Sequence, residues 1–149
     1  VTMAMAVGAI IGGFLGGLSA EWLGRRLSFA LQSAASLGLV SLLYLTCTEY
    51  GTRMLVLTVV VQMAQVAMFG WLPLYLPELF PTRLRATGEG FCFNVGRVVS
   101  AAGVLIGTGK LSAALGSIPN AAMLMSLIYV VGIVLAVLAP ETKGQELPE

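Results

Sequence analysis

Glu78-Leu-Phe-Pro-Thr-Arg-Leu-Arg-Ala-Thr-Gly-Glu-Gly-Phe-Cys-Phe-Asn-Val-Gly-Arg97 is the stretch on which the fold turns. It opens as a charged turn with Pro81, Arg83 and Arg85, then becomes an apolar helix that carries Asn94 and Arg97 inward. Charges in the turn are solvated by water and lipid headgroups. Arg97 is different, because a charge inside a hydrophobic span is costly and usually functional. If the helix enters a membrane near Ala86, Arg97 lies about 16 Å along it at 1.5 Å per residue. That is near the middle of a hydrocarbon core of about 30 Å, too deep for easy snorkelling. Two readings stay open: a structural pair with a carboxylate or carbonyls, or a group facing a wet pathway and meeting solute.

Composition agrees with a membrane setting. The 149 residues are 58% hydrophobic and only 10% charged, with a mean hydropathy of +0.93. Soluble domains carry about a quarter charged residues. The apolar residues recur in blocks along the whole chain, which excludes a single signal peptide or anchor and indicates a polytopic membrane protein. No basic run with interleaved aromatics speaks for nucleic acid. Cys47 and Cys92 give neither a disulfide framework nor a metal spacing, so no metal or other cofactor is expected. Histidine is absent, which removes His-based catalysis and a His proton relay from this chain.

Five blocks are long enough to span a bilayer at about 20 residues each. They are placed near 1–20, 27–47, 53–78, 86–110 and 118–139, and must be helices, since the alternation of a barrel is missing. The first carries Gly8, Gly12 and Gly16, with Gly13 and Gly17, at four-residue spacing, which allows close helix packing. The second sets Ser28, Gln32 and Ser36 on one side for interhelical hydrogen bonds. The third aligns Thr58, Gln62, Gln65 and Phe69 on one face. Its two glutamines either line a polar cavity or bond a neighbouring helix. Trp71 and Tyr75, near its end, suit an interfacial belt, and Pro73 and Pro77 allow a bend. The fourth has a small-residue stripe (Gly96, Ser100, Gly103, Gly107) suited to packing and a polar stripe that includes Asn94 and Arg97. The fifth, opened by Ser117 and Pro119, reads as scaffold.

Arg25, Arg26, Arg83, Arg85 and Lys143 fall in connections on one side, against Arg53 and Lys110 on the other. The positive-inside rule then predicts a cytoplasmic C-terminus and an external N-terminus, in a multi-pass protein of the plasma (inner) membrane. An odd number of spans beginning at Val1, without a start methionine, is expected of a truncated chain.

The connections also carry a resemblance. Gly17-Leu-Ser-Ala-Glu21-Trp-Leu-Gly24-Arg25-Arg26 resembles the signature of the major facilitator superfamily: a glycine, an acidic residue, then Gly-Arg-Arg between paired helices. Glu78, Pro81, Thr82, Arg85 and Gly88 resemble the turn between the tenth and eleventh helices of its sugar-porter and organic-ion branches. Pro140-Glu141-Thr142-Lys143-Gly144 is similar to the motif closing the twelfth helix. Glu21 replaces the commoner aspartate, and Trp22 stands where a basic residue is frequent. The resemblance covers the chain as helices eight to twelve of twelve. It implies an all-α membrane protein, five transmembrane helices of a six-helix half-bundle, whose missing N-terminal half is a partner together with the bilayer.

That family's halves rock about a solute site near the midplane. The resemblance implies a cytoplasmic charge network that opens each cycle, here Glu21, Arg25, Arg26, Glu78, Arg85 and Glu141; the alternative is topological anchoring alone. Arg97, Asn94, Gln62 and Gln65 are the candidate solute contacts. The expected activity is secondary transport of a small organic solute, an organic acid or similar metabolite, coupled to protons. A sugar carrier of the same superfamily and an inactive truncated chain are the alternatives. A membrane-embedded enzyme or receptor is disfavoured, because no nucleophile–base set or metal cluster is present.

Overall fold

The computed structural model describes residues 2–47 and 49–144. Among these are six helical stretches and no strand: α1 (Thr2–Leu23), α2 (Arg25–Thr46), α3 (Thr52–Glu78), α4 (Arg85–Leu115), α5 (Ile118–Ser126) and α6 (Ile128–Leu138). Taken together, α5 and α6 form one span from Ile118 to Leu138, so five helices are long and apolar enough to cross a membrane. The last span steps at Leu127, whose N–H bonds Leu124, while Val130 N–H bonds Leu127. These i→i−3 bonds tighten the ladder for one turn, and the Ser126 hydroxyl, bonded to the Met123 carbonyl at 2.6 Å, reinforces the break.

α1 packs chiefly on α3 rather than on its chain neighbour α2, and the glycine stripe is the reason. Gly8, Gly12 and Gly16 are buried, and a methyl at each would run into a backbone carbonyl of α3, that of Val59, Met63 or Ala67. Gly70 of α3 returns the contact at the Gly13 carbonyl. With no side chain between them, the two backbones touch, which is the main source of helix affinity in lipid. α2 lies against α6 and α3, and α4 leans on α5 and, more lightly, on α3.

Two expectations need correction. Trp71 and Tyr75 are 2% and 8% exposed, so they form core rather than an interfacial belt. Trp71 Nε1 donates to Gln32 Oε1 at 2.8 Å and Tyr75 OH to the Pro140 carbonyl at 3.0 Å. With both donors satisfied inside the bundle, the rings lose nothing by leaving the interface. On α2, Gln32 does the interhelical bonding, also donating to Ser19 Oγ of α1 at 3.0 Å. Ser28, Ser33 and Ser36 are buried, but their hydroxyls have no protein partner, so their small size is what the packing uses. The small-residue stripe of α4, suited to packing, is uncovered over most of its length among the described residues. Gly96 and Gly103 face open space, no α4 residue is buried, and only Gly107 meets a neighbour, Met125 of α5.

Candidate functional site

At one end of the bundle, the chain between α1 and α2 turns through Gly24 at φ 89°, a left-handed conformation that favours glycine. The turn leaves no room for a side chain either, since a Cβ at Gly24 would lie 2.7 Å from a Glu141 carboxylate oxygen. Gly24 provides no side-chain cap, and Glu141, arriving from beyond α6, caps α2 instead. Its carboxylate accepts the N–H of Arg25 at 2.9 Å and of Arg26 at 3.1 Å. A carboxylate on free N–H groups at a helix start gains both the hydrogen bonds and the helix dipole. Burial pushes the Glu141 carboxyl up. The backbone N–H groups of Arg25, Arg26 and Lys143, with the Arg25 charge, outweigh burial and hold it below the usual carboxylate range. It is therefore ionised at neutral pH, and the cap is lost only in acid below that range.

Arg25 forms the centre of the cluster. Its Nη2 and Nε reach the two oxygens of Glu78, at the end of α3, at 2.8 and 3.3 Å, and its Nη1 donates to the Ala20 carbonyl at 3.0 Å. This is a two-pronged pair with side chains only 12% and 20% exposed. Thr142 Oγ1 donates to the same Glu78 carboxylate at 2.5 Å. Arg26 instead closes the far end of α6, donating to the Ala136 carbonyl at 3.2 Å and to that of Val137. Lys143 Nζ reaches the Trp22 carbonyl at 2.8 Å.

Of the six network candidates, Arg25 thus pairs with Glu78 through its side chain, and Glu141 meets Arg25 and Arg26 through their backbone N–H groups. Arg85 Nε donates to the Pro77 carbonyl at 3.1 Å, and Glu21 is exposed on the last turn of α1. Thr142, Tyr75 and Lys143 belong to the cluster and were not among the candidates. Thr142 and Lys143 stand in the closing motif and Tyr75 on α3, but the contacts of all three cross more than 60 residues of chain.

The four solute candidates do not come together. Arg97 lines a cleft of about 470 Å³ between α3 and α4, with Phe69, Leu72 and Leu76 on one wall and Cys92, Phe93, Gly96 and Ser100 on the other. Its guanidinium carbon stands 5.7 Å from the centre of the Phe93 ring, which meets Phe69 edge-on at 6.5 Å. Arg97 is exposed, and no carboxylate among the described residues pairs with it. It is twelve residues from Arg85 and thirteen from Lys110, so it sits midway along α4. Gln62 and Gln65 lie elsewhere, in a separate cavity of about 450 Å³ that also reaches Tyr44, Thr108 and Tyr129. The cleft uses the 69–76 stretch of α3, and the cavity the 58–65 stretch, so the two are stacked along one helix. Asn94 lines neither. It is exposed and turns back to the Gly90 carbonyl at 2.7 Å.

No family model matches the chain. Curated proteins do. The "Probable 4-methylmuconolactone transporter" of Cupriavidus pinatubonensis is 33% identical over 141 residues, 94% of this chain and 32% of the relative. A Haemophilus influenzae protein, named for metabolite transport, is 32% identical over 149 residues, 98% of this chain and 35% of its own length. The "Inner membrane metabolite transport protein YdjE" of Escherichia coli is 29% identical over 150 residues, 100% of this chain and 32% of the relative. Over nearly all its length the chain is similar to proteins named as transporters. It spans about a third of the length of the curated relatives it matches. The names given to these relatives are all of transport proteins.

Proposed function

We propose that the complete protein carrying this chain is an alternating-access carrier for a small organic acid, driven by protons, with Arg97 as the group that meets the carboxylate. The observation that carries this reading is an exposed arginine midway along an apolar helix, stacked on Phe93 and free of any carboxylate among the described residues. A guanidinium there is costly unless an anion completes it, and its planar fork fits a carboxylate. Phe69 and Phe93 beside it offer ring faces to a flat solute. The relatives' names, one of them specifying a muconolactone, support a small organic solute. Coupling to protons and a cytoplasmic position for the charged end rest on the major-facilitator resemblance and on charge placement.

Uptake of radiolabelled benzoate into proteoliposomes of the complete protein tests the reading. Saturable uptake that rises when the lumen is made alkaline is expected. Absence of uptake for benzoate and for other monocarboxylates alike would remove it.

The charge cluster acts, in this reading, as the gate of the inner face. Exposed ion pairs contribute only about 0–1 kcal/mol, and a shielded two-pronged pair more, which suits a contact that forms and breaks once per cycle. Glu78→Gln is expected to shift the complete protein towards its inward-open state, because it weakens the bonds to both Arg25 and Thr142. Thiol labelling from the inner side should increase severalfold at a cysteine introduced in the cavity. Unchanged labelling would leave these residues an anchoring role only.

A further inference from the structure

The Gln62–Gln65 cavity has the properties of a binding site, and they differ from those of the Arg97 cleft. It holds about 450 Å³, within the range of small-molecule pockets, and most of its lining is apolar. Its polar side chains are Tyr44, Thr58, Gln62, Gln65, Thr108, Ser126 and Tyr129. The hydroxyls of Thr58, Thr108 and Ser126 are each satisfied within their own span, at the carbonyls of Met54, Val104 and Met123. Neither the Gln62 amide nor the Tyr44 hydroxyl makes a hydrogen bond among the described residues, so donors and acceptors stand open at the cavity wall. No aspartate, glutamate, lysine or arginine lines the space. An anion or cation inside it would be desolvated without a counter-charge, a cost that excludes ions.

We propose that this cavity is a second small-molecule site, distinct from the Arg97 cleft, that takes an uncharged ring compound bearing an amide or a comparable donor–acceptor group. The inference goes beyond the organic-acid reading and does not depend on Arg97. A primary amide both donates and accepts, and so can exchange two hydrogen bonds with the open Gln62 amide. Its ring then lies against the aliphatic wall. The carboxylate of the same shape fits the space but finds no cation there.

Benzamide and benzoate form the matched probe pair. Equilibrium binding of each radiolabelled compound to the complete protein in nanodiscs, with protein-free nanodiscs subtracted, separates the two sites. Benzamide is expected to bind saturably and to resist competition by benzoate. Gln62→Leu, which keeps the side-chain bulk, should weaken benzamide by about tenfold, the effect of losing a buried hydrogen-bond pair. Thr108→Phe fills the cavity from α4 and should remove benzamide binding, while Arg97→Ala should leave it unchanged. Each variant is measured on material eluting as a single monodisperse peak. The proposal is overturned if wild-type protein binds no benzamide saturably, or if benzoate competes or Arg97→Ala removes benzamide. Wild-type affinity in both Gln62→Leu and Thr108→Phe overturns it equally. Loss of benzoate binding alone would remove the Arg97 reading and leave this one standing.

Discussion

With Arg97 replaced by alanine, uptake of a ring carboxylate by the complete protein should fall on the order of a hundredfold or more, while yield and thermal stability stay at wild-type values. The two halves of this expectation have separate causes. Truncating one partner of a desolvated, hydrogen-bonded charge pair costs roughly 2–5 kcal/mol, and most of that is the anion left without a counter-charge. Stability is spared because Arg97 anchors nothing within the chain. It is exposed, and its one described contact is the face of Phe93. Arg97→Lys adds a finer test. It keeps the charge and loses the planar fork and the stacking, so roughly a tenfold loss is expected rather than a complete one. Wild-type uptake by the alanine variant would take Arg97 out of the site.

The second large effect is on assembly, at the crossing of α1 and α3. Gly16→Ala should abolish the monodisperse peak of the detergent-extracted protein, whereas Gly17→Ala should leave it intact. Helix propensity predicts the same sign for both, since alanine is better than glycine by roughly 0.8–1 kcal/mol in a helix interior. Packing separates them. At Gly17 the nearest atom to an added methyl is the Gly70 carbonyl oxygen at 3.6 Å, an ordinary contact. At Gly16 the methyl would overlap the backbone carbonyl of Ala67, which cannot rotate away as a side-chain tip could. Overpacking of ordinary cores costs about 1–3 kcal/mol, and here the helices themselves must part. That loss exceeds the gain in propensity and falls on a protein only marginally stable to begin with. Normal elution and melting of Gly16→Ala would show that α1 and α3 do not meet along this stripe.

The contrast between these two glycines marks where sequence reading succeeds. Repetition at four residues identified Gly8, Gly12 and Gly16 as a packing face, because a helix repeats its faces at that spacing whatever it packs on. The same rule gave Gly96, Ser100, Gly103 and Gly107 a packing role, and within this chain that stripe is mostly uncovered. A small-residue stripe states what a helix can approach, but not whether a neighbour is there. Trp71 and Tyr75 were misread for a related reason. An aromatic residue with a polar tip near a helix end suits a headgroup region, unless a partner for the tip lies inside. Gln32 and Pro140 are those partners, 39 and 65 residues away.

The opening stretch follows the same division. Its charged turn and the apolar helix after it followed from local composition, since charge and hydropathy act on each segment independently of the others. So did the number of spans and the position of Arg97 midway along its helix. Tertiary structure alone decided that Glu78 closes on Arg25 and Thr142 while Arg85 turns back to Pro77. It also decided that Arg97 faces a cleft lined by Phe69 and Phe93, whereas Gln62 and Gln65 open into a different cavity. A bilayer's demand for apolar length is written into each helix by itself. Which side chain meets which depends on how the helices cross, and that is set by contacts between residues far apart in the chain.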